Sequence, residues 1–495
     1  MMWAASLVWW GLGTALAAEE VESEPISLPQ AIEEALQTNL ELRQRAIDVG
    51  LAETGLTRAR SRWDPTLGLS ASTSTSNQPN NNLFVGEEVL SISSGRWSAS
   101  LSQSLPTGGQ LSAAWFESRT TSTDETLINP TTVSNGANLS LAQPLLRGGG
   151  PAALWDLRRT RLGLTRAQIG WRASVEQAIL DVSAAYWRLV AADQRQALAV
   201  QSRAIAAESV SDMEDRYDAG FVGSGDVLQM RRAFGAARLS EVGAEAARQQ
   251  ANNALCRLLG RDVRTPPHLT PSDAPLVPES LPDEAAILTS AMANNAGYLQ
   301  ATLDRSTAEL AVKGLRNQAL PDLALNGDVG LSGLGNTAAE ARRTTTSGEF
   351  NAWSVGASVS VPLLGRAARA NVRQARMDAE TARLAFEAAE QDLVLRVQDA
   401  VRAVQRDRLQ VELATETERV AALALEADRE LLTEGRGSSR NVAQSLELLQ
   451  QAGVALLESQ IGLQRSLLEL KRVAGTLIAP ADLPEPDQVR SAALQ

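Results

Sequence analysis

WSASLSQSL occupies residues 97–105, and WSVGASVSVPLLGRAARA begins at residue 353. Both alternate strictly. Trp97, Ala99, Leu101 and Leu105 fall on one side of an extended chain, and Ser98, Ser100, Ser102 and Ser104 on the other. Trp353, Val355, Ala357, Val359 and Val361 alternate in the same way with Ser354, Gly356, Ser358 and Ser360. A period of two over such lengths predicts β-strands with one apolar and one polar face. Each strand region then gives way to a long stretch without proline, from Ala152 to Thr265 and again from Leu363 to Ala479. Half-greasy strands joined to helices of that length point to a pore.

Further landmarks show that the chain is a duplicated half-molecule. EALQTNLELR around Asn39 answers to SAMANNAGYLQ around Asn295, and SRWDPTLGLS at Pro65 to NQALPDLALN at Pro321. QPLLRGG at Pro144 answers to VPLLGRA at Pro362, and RYDAGFVGSGDVLQ at Gly220 to LLTEGRGSSRNVAQ at Gly435. The interval between the Pro65 and Pro144 landmarks exceeds its counterpart by enough residues for an extra hairpin. That hairpin reads as Trp97–Leu105 and Gln110–Arg119, joined by the turn sequence Pro106-Thr107-Gly108-Gly109. The domain layout follows: a secretory signal over 1–18, a first repeat over 19–265, a linker over 266–282, a second repeat over 283–475 and a tail over 476–495. Strands are expected over about 65–144 and 321–362. Long helices are expected over about 152–260, broken near Gly220, and over about 366–475. Shorter helical segments are expected over about 27–62 and 283–320, and a loosely ordered tail after Pro480.

Composition narrows the function. With 46 basic and 58 acidic residues the formal net charge is −12, against the basic face that nucleic-acid binding requires. The single cysteine, Cys256, sits in an apolar helical context and reads as a buried inert thiol. The single histidine, His268, lies in TPPHLTP and reads as a surface-loop residue. Neither has partners at catalytic or metal-ligand spacing, and no cofactor is implied. Gly223-Ser224-Gly225 lacks the pattern of a nucleophile elbow, and Gly148-Gly149-Gly150 lacks the Lys-Ser/Thr of a phosphate loop, so no enzyme is indicated. Met1 to Ala18 is uncharged and mostly apolar, with Ala15-Leu16-Ala17 as the cleavage signal, though no Lys or Arg precedes the apolar run. No other segment is long and apolar enough for a transmembrane helix, so membrane insertion must use strands.

The strands are of membrane-crossing length, and Trp63, Trp97, Trp115, Phe116, Phe350 and Trp353 fall near their ends, as interfacial aromatic girdles do. Four to six strands cannot close a barrel alone, and an open edge in lipid leaves backbone groups unpaired. The chain is therefore expected to share one barrel with copies of itself. Leu456, Leu463, Leu467 and Leu470, and separately Leu393, Val397, Val401 and Val404, form seams for helix packing.

Taken in order and duplicated, EEALQTNLELR, QPLLRGGG with VPLLGRAARANVRQA, and RYDAGFVGSGDVLQ with LLTEGRGSSRNVAQ resemble the TolC-like outer membrane efflux proteins over about Ser27 to Gly475. The resemblance implies an α+β membrane protein. Long antiparallel coiled-coil helices form a periplasmic tunnel, and a few strands from each chain join a shared trimeric outer membrane β-barrel. It implies a homotrimer, a periplasmic adaptor (membrane fusion protein), an inner membrane RND or ABC transporter, and passive export with no bond made or broken. It puts adaptor docking and the pore tip at Arg216, Gly220, Ser224, Asp226 and Val227, and at Gly435, Ser439, Asn441 and Val442. The same residues also suit plain turning of the chain, with Ser224 and Ser439 starting helices. Where some members carry an acidic ring past the second tip, this chain has Asn441 and Gln444, so a trimer presents one Asp226 ring at most. Four strands per chain give the family's twelve, which is the number favoured by the resemblance; six would give eighteen. A soluble periplasmic coiled-coil scaffold is the alternative reading.

Overall fold

The computed structural model describes residues 23–79, 89–124, 127–275, 283–434, 436–479 and 482–494. The signal segment and Gly435 lie outside them. The first copy runs β1 (Ser23–Ile26), α1 (Leu28–Thr38), α2 (Leu40–Arg60), β2 (Thr66–Pro79), β3 (Val89–Ser104), β4 (Gln110–Ser122), β5 (Thr131–Pro144), α3 (Trp155–Asp218), α4 (Ser224–Leu258) and β6 (His268–Pro271). The second runs α5 (Glu284–Asn294), α6 (Ala296–Gln318), β7 (Asp322–Gly335), α7 (Ala338–Ser347), β8 (Asn351–Ser360), α8 (Arg366–Thr433), α9 (Ser439–Val473) and α10 (Pro486–Leu494). The chain forms two compact units, and each draws on both copies.

One unit holds a six-stranded, wholly antiparallel sheet in the order β2-β3-β4-β5-β7-β8. The extra hairpin is β3 and β4, paired in the interior of the sheet between β2 and β5. The preference for four strands per chain is therefore corrected to six. An inserted hairpin adds an even number of strands, so β2 and β5 keep their opposed directions and the sheet absorbs it without changing topology.

Register aligns the apolar positions of neighbouring strands into rows on one face. Leu67, Leu101, Ala113, Leu139, Val329 and Trp353 are successive cross-strand neighbours, as are Leu69, Ala99, Trp115, Ala137 and Leu331. The opposite face carries Ser100, Ser102, Ser112, Ser140, Asn326, Asp328, Gly356 and Ser358. Hydroxyl pairs stitch that side, Ser70 to Ser98 at 2.8 Å and Ser112 to Ser140 at 2.6 Å. Phe116 belongs to this polar face, with the Arg96 guanidinium 4.4 Å from its ring, and is not part of a girdle. β2 and β3 run on past the apolar rows through Ser- and Thr-rich sequence, where hydroxyl bonds such as Ser74 to Ser94 at 2.9 Å sustain the pairing.

The short helical segments are interrupted where continuous helices were expected. Asn39 ends α1 and its side chain accepts from the amides of Glu41 and Leu42 at the start of α2. Its Nδ2 donates to the Leu258 carbonyl at the end of α4, at 3.0 Å. Asn295 does the same work in the second copy, accepting from the Tyr298 amide and donating to the Val473 carbonyl at 3.2 Å. Each asparagine thus caps one helix and fastens it to the open carbonyls of another.

The other unit contains β1 paired in parallel with β6, inside the expected linker. Ile26, Tyr186, Trp187, Leu255, Cys256 and Leu269 form the core beneath it. Cys256 is fully buried, as expected, and burial pushes its thiol pKa up. The Tyr186 hydroxyl donates to Asp273 at 2.8 Å, and burial with this neighbour pushes its pKa up to about 12. Arg261 clamps Glu24 and Glu34 with bidentate pairs of 2.5–2.9 Å. The expected surface-loop histidine is instead a half-buried residue of β6, hydrogen-bonded to the buried Arg248, which also pairs with Asp193 at 2.6 Å. The expected loose tail contains α10, and the Trp171 indole donates to the Pro484 carbonyl at 3.0 Å.

Burial, and then the Arg248 charge, hold the His268 pKa below its ordinary 6.5. The unfolded chain therefore takes up a proton near 6.5 that the folded chain refuses. Stability is complete above that pH and declines as the pH falls toward the lowered folded value. Thermal melting of the wild type should drop between about pH 7 and pH 5, and His268→Asn should flatten that part of the profile.

Candidate functional site: the helical tip and the open-edged sheet

The tip is formed where α3 passes to α4 and α8 to α9. At the first turn the Phe221 amide bonds the Arg216 carbonyl at 2.9 Å, and the Gly220 amide bonds that of Tyr217 at 2.9 Å. This closing pattern needs a left-handed residue, and Gly220 sits at φ 78°. Gly223, with extended backbone, precedes α4, and the Asp226 carboxylate accepts from its amide at 3.2 Å. Ser224 is the first helical residue and is exposed; the helix start expected of it belongs to Gly223 and Asp226. The second turn behaves alike. The Arg436 and Gly437 amides bond the Leu431 carbonyl at 2.9 and 2.8 Å. Ser438 accepts from the Asn441 amide through its carbonyl at 3.0 Å, and Ser439 opens α9 one residue later.

Val227 and Val442 are buried. Val227 packs with Met213 and Met230, and Val442 with Ala206, Leu425 and Leu446; Leu432 touches both clusters. Arg216 is half-buried and its Nη1 donates to the Leu432 carbonyl at 2.8 Å, joining the two turns. Arg216 and Val442 share a cavity of about 180 Å³ with Met213, Met230 and Asp212. Of the nine residues singled out, Arg216, Val227 and Val442 are therefore brought together as the joint between the hairpins. Gly220, Ser224 and Asn441 remain on the surface. Asp226 is half-buried and occupied in capping its own helix, so it is not a free acidic ring member. Gly435 falls outside the described residues.

Phe221, which is 83% exposed, and Tyr217 beside it join the surface of the turn without being among the nine residues that the resemblance implies. Both lie inside the quoted turn motif, and an aromatic side chain at an exposed turn is the available signal. Also outside the nine are the exposed carboxylates Asp212, Asp215 and Asp218 at the end of α3, where the helix dipole disfavours them.

The sheet leaves two edges open. β8 is exposed along its whole length and β2 along all but one residue. The apolar face between them is exposed as well, with Leu69 and Trp353 each at 75%. Among the described residues no helix is long and apolar enough to cross a membrane.

A family model for outer membrane efflux proteins matches residues 110–261 and 287–476. The chain belongs to the outer membrane efflux protein family. Protein CyaE of Bordetella pertussis is 31% identical over 196 residues, 39% of this chain and 40% of CyaE, so the match spans less than half of that relative. A membrane protein from Pseudomonas aeruginosa superposes with a TM-score of 0.68 at 18% identity, covering 92% of each chain. The CmeC outer membrane channel of Campylobacter jejuni gives 0.67 at 16% identity, covering 94% of this chain and 89% of CmeC. At such identities the likeness is one of fold. As an outer membrane efflux protein the chain resides in the outer membrane, in a family of efflux proteins and not of enzymes.

Any side chain at Gly220 meets a backbone that costs about 1–2 kcal/mol to hold. Gly220→Val should therefore weaken the first turn, and Val227→Asp should open the cluster around Met213. Hydrogen exchange should report both as faster exchange confined to residues near the tip, with protection of the β1–β6 core unchanged.

Proposed function

We propose that the protein is the outer membrane channel of a tripartite efflux or type I secretion machine. Three copies share one barrel, and substrate passes through without being chemically altered. The observation that carries this reading is the sheet: one face with an apolar belt across it, one face rich in serine and glycine, and two bare edges. In lipid each unpaired backbone group costs several kcal/mol, so β2 and β8 need partners. Five successive antiparallel pairings leave β2 and β8 running in opposite directions. The β8 of one copy can then continue onto the β2 of the next in the same antiparallel pattern until the ring closes.

With six strands from each copy, a trimer closes at about eighteen strands, and barrel diameter grows roughly in proportion to strand number. The face that would line the lumen is mostly polar, with many serines and also Arg96, Asn326 and Asp328, which suits a water-filled passage. The tip, with Gly220, Ser224 and Asn441 on its surface and Phe221 projecting beside them, would meet a periplasmic adaptor that links the channel to an inner membrane RND or ABC transporter. A soluble periplasmic scaffold would have no use for an apolar sheet face left open to water.

Mass measurement of the detergent-solubilised protein should give three copies; a monomer would refute the shared barrel. Disulfide trapping tests the edges directly, because Cys256 is buried and leaves new surface cysteines unopposed. A cysteine at Ser70, scanned against single cysteines along β8, should give covalent trimers at one register. Replacing Gly220 with tryptophan should reduce export while the trimer still forms, and undiminished export would remove the tip from the mechanism.

A further inference from the structure

The segment between β7 and β8 forms α7, and its position on the sheet is specific. Thr345 Oγ1 donates to the Asn135 carbonyl at 3.2 Å, and Arg342 makes a bidentate pair with Glu117 at 2.7 and 3.1 Å. Gly333 and Gly335 lie beneath the helix, where a Cβ would run into Thr345 and Glu340. Glu117, Asn135 and Gly333 are cross-strand neighbours in one row, next to the row of Trp115, Ala137 and Leu331. Alternation puts both rows on the same face. α7 therefore lies on the apolar, lipid-directed side of the sheet, at the margin where the apolar rows end, and not over the serine-lined face.

The composition of α7 agrees with that level. AAEARRTTTS has no side chain larger than alanine to offer hydrocarbon, and its sheet-facing residues are Ala341 and Thr345, both buried. Arg343 is exposed on the helix. Arg119, also exposed, projects from the same sheet face one row further out, opposite Val133. Neither arginine is in an ion pair among the described residues. Of the nearby acids, Glu117 is taken by Arg342 and also accepts from the Trp97 indole at 3.4 Å, and Glu340 turns back to the Asn336 amide at 3.0 Å. A chain with net charge −12 thus places unpaired positive charge on the outside of the sheet, at the border of the apolar belt.

We propose that α7, Arg343 and Arg119 form a docking surface for phosphorylated lipid headgroups of the outer leaflet. The proposal rests on the lipid-facing assignment of the apolar sheet face. The helix carries Arg343 and β4 carries Arg119 at the margin of the apolar belt, and guanidinium groups bind phosphate oxygens bidentately. The same arginines inside the lumen would meet solute; outside it, lipid is the phosphate source within reach. Arg342 has a separate task, neutralising Glu117 so that the row beneath the helix carries no open negative charge.

The full chain is reconstituted in zwitterionic phospholipid vesicles with and without a phosphorylated glycolipid, extracted gently, and examined by native mass spectrometry for retained lipid. Wild type should retain the phosphorylated glycolipid, and retention should fall about fivefold for each arginine removed in Arg119→Gln and Arg343→Gln. Lysine at both positions should restore much of it, and the dephosphorylated glycolipid should not be retained. Equal retention by wild type and the double glutamine variant overturns the proposal, as does displacement of the lipid by millimolar inorganic phosphate. Failure of wild type to insert in either vesicle overturns the lipid-facing assignment itself, and is told apart by the absence of protein from the vesicle fraction.

Discussion

Backbone hydrogen bonding in a medium without water governs this molecule. Inside the sheet every strand has two partners, but β2 and β8 each have one, and both are bare on their outer edges. A soluble protein would blunt such edges with charge, proline or a covering loop. Here they are long and regular, as they need to be if another copy pairs with them in the proposed trimer. The alternation of faces and the opposed direction of the two edges both suit that need.

The helical part answers to a different constraint. Helices of 64 and 68 residues, α3 and α8, expose far more end and side surface than they can stabilise alone. Buried stripes such as Leu393, Val397, Val401 and Val404 supply partners along their length. The duplicated asparagines Asn39 and Asn295 supply partners at the ends, where carbonyls would otherwise be left open. At the tip the same economy recurs: residues placed there by the resemblance, Arg216, Val227 and Val442, face inward and hold the two hairpins together. What remains outside is the surface on which a partner could act.

Much of the architecture was legible because periodicity survives without context. The period-two runs announced the strands and their faces, and the duplication announced the two hairpin tips. Boundaries were less legible where side-chain chemistry changed without a change of conformation. β3 continues back through a serine-rich stretch that carries no apolar alternation, since hydroxyl pairs and ladder bonds sustain it beyond the apolar belt. His268 looked like a loop residue because prolines surround it; the pairing of β6 with β1, more than two hundred residues away in sequence, gives it a sheet and a buried arginine. Prolines and acids make the tail look loose, yet Trp171 and Arg490 anchor it through contacts that no local pattern encodes.

By itself the sequence determined that there are two copies, that their strands are amphipathic with membrane-crossing length, and that long paired helices follow them. Those properties are local, set by side-chain alternation, helix period and turn chemistry. Only the tertiary structure decided that the extra hairpin is inserted inside the sheet, that α7 lies against the apolar face and not over the serine-lined one, and that the tip valines are joint and not surface. Each of these depends on register between strands or helices far apart in the chain. A shift of one residue would turn every side chain to the opposite face, and nothing in a single strand records which neighbour it will meet.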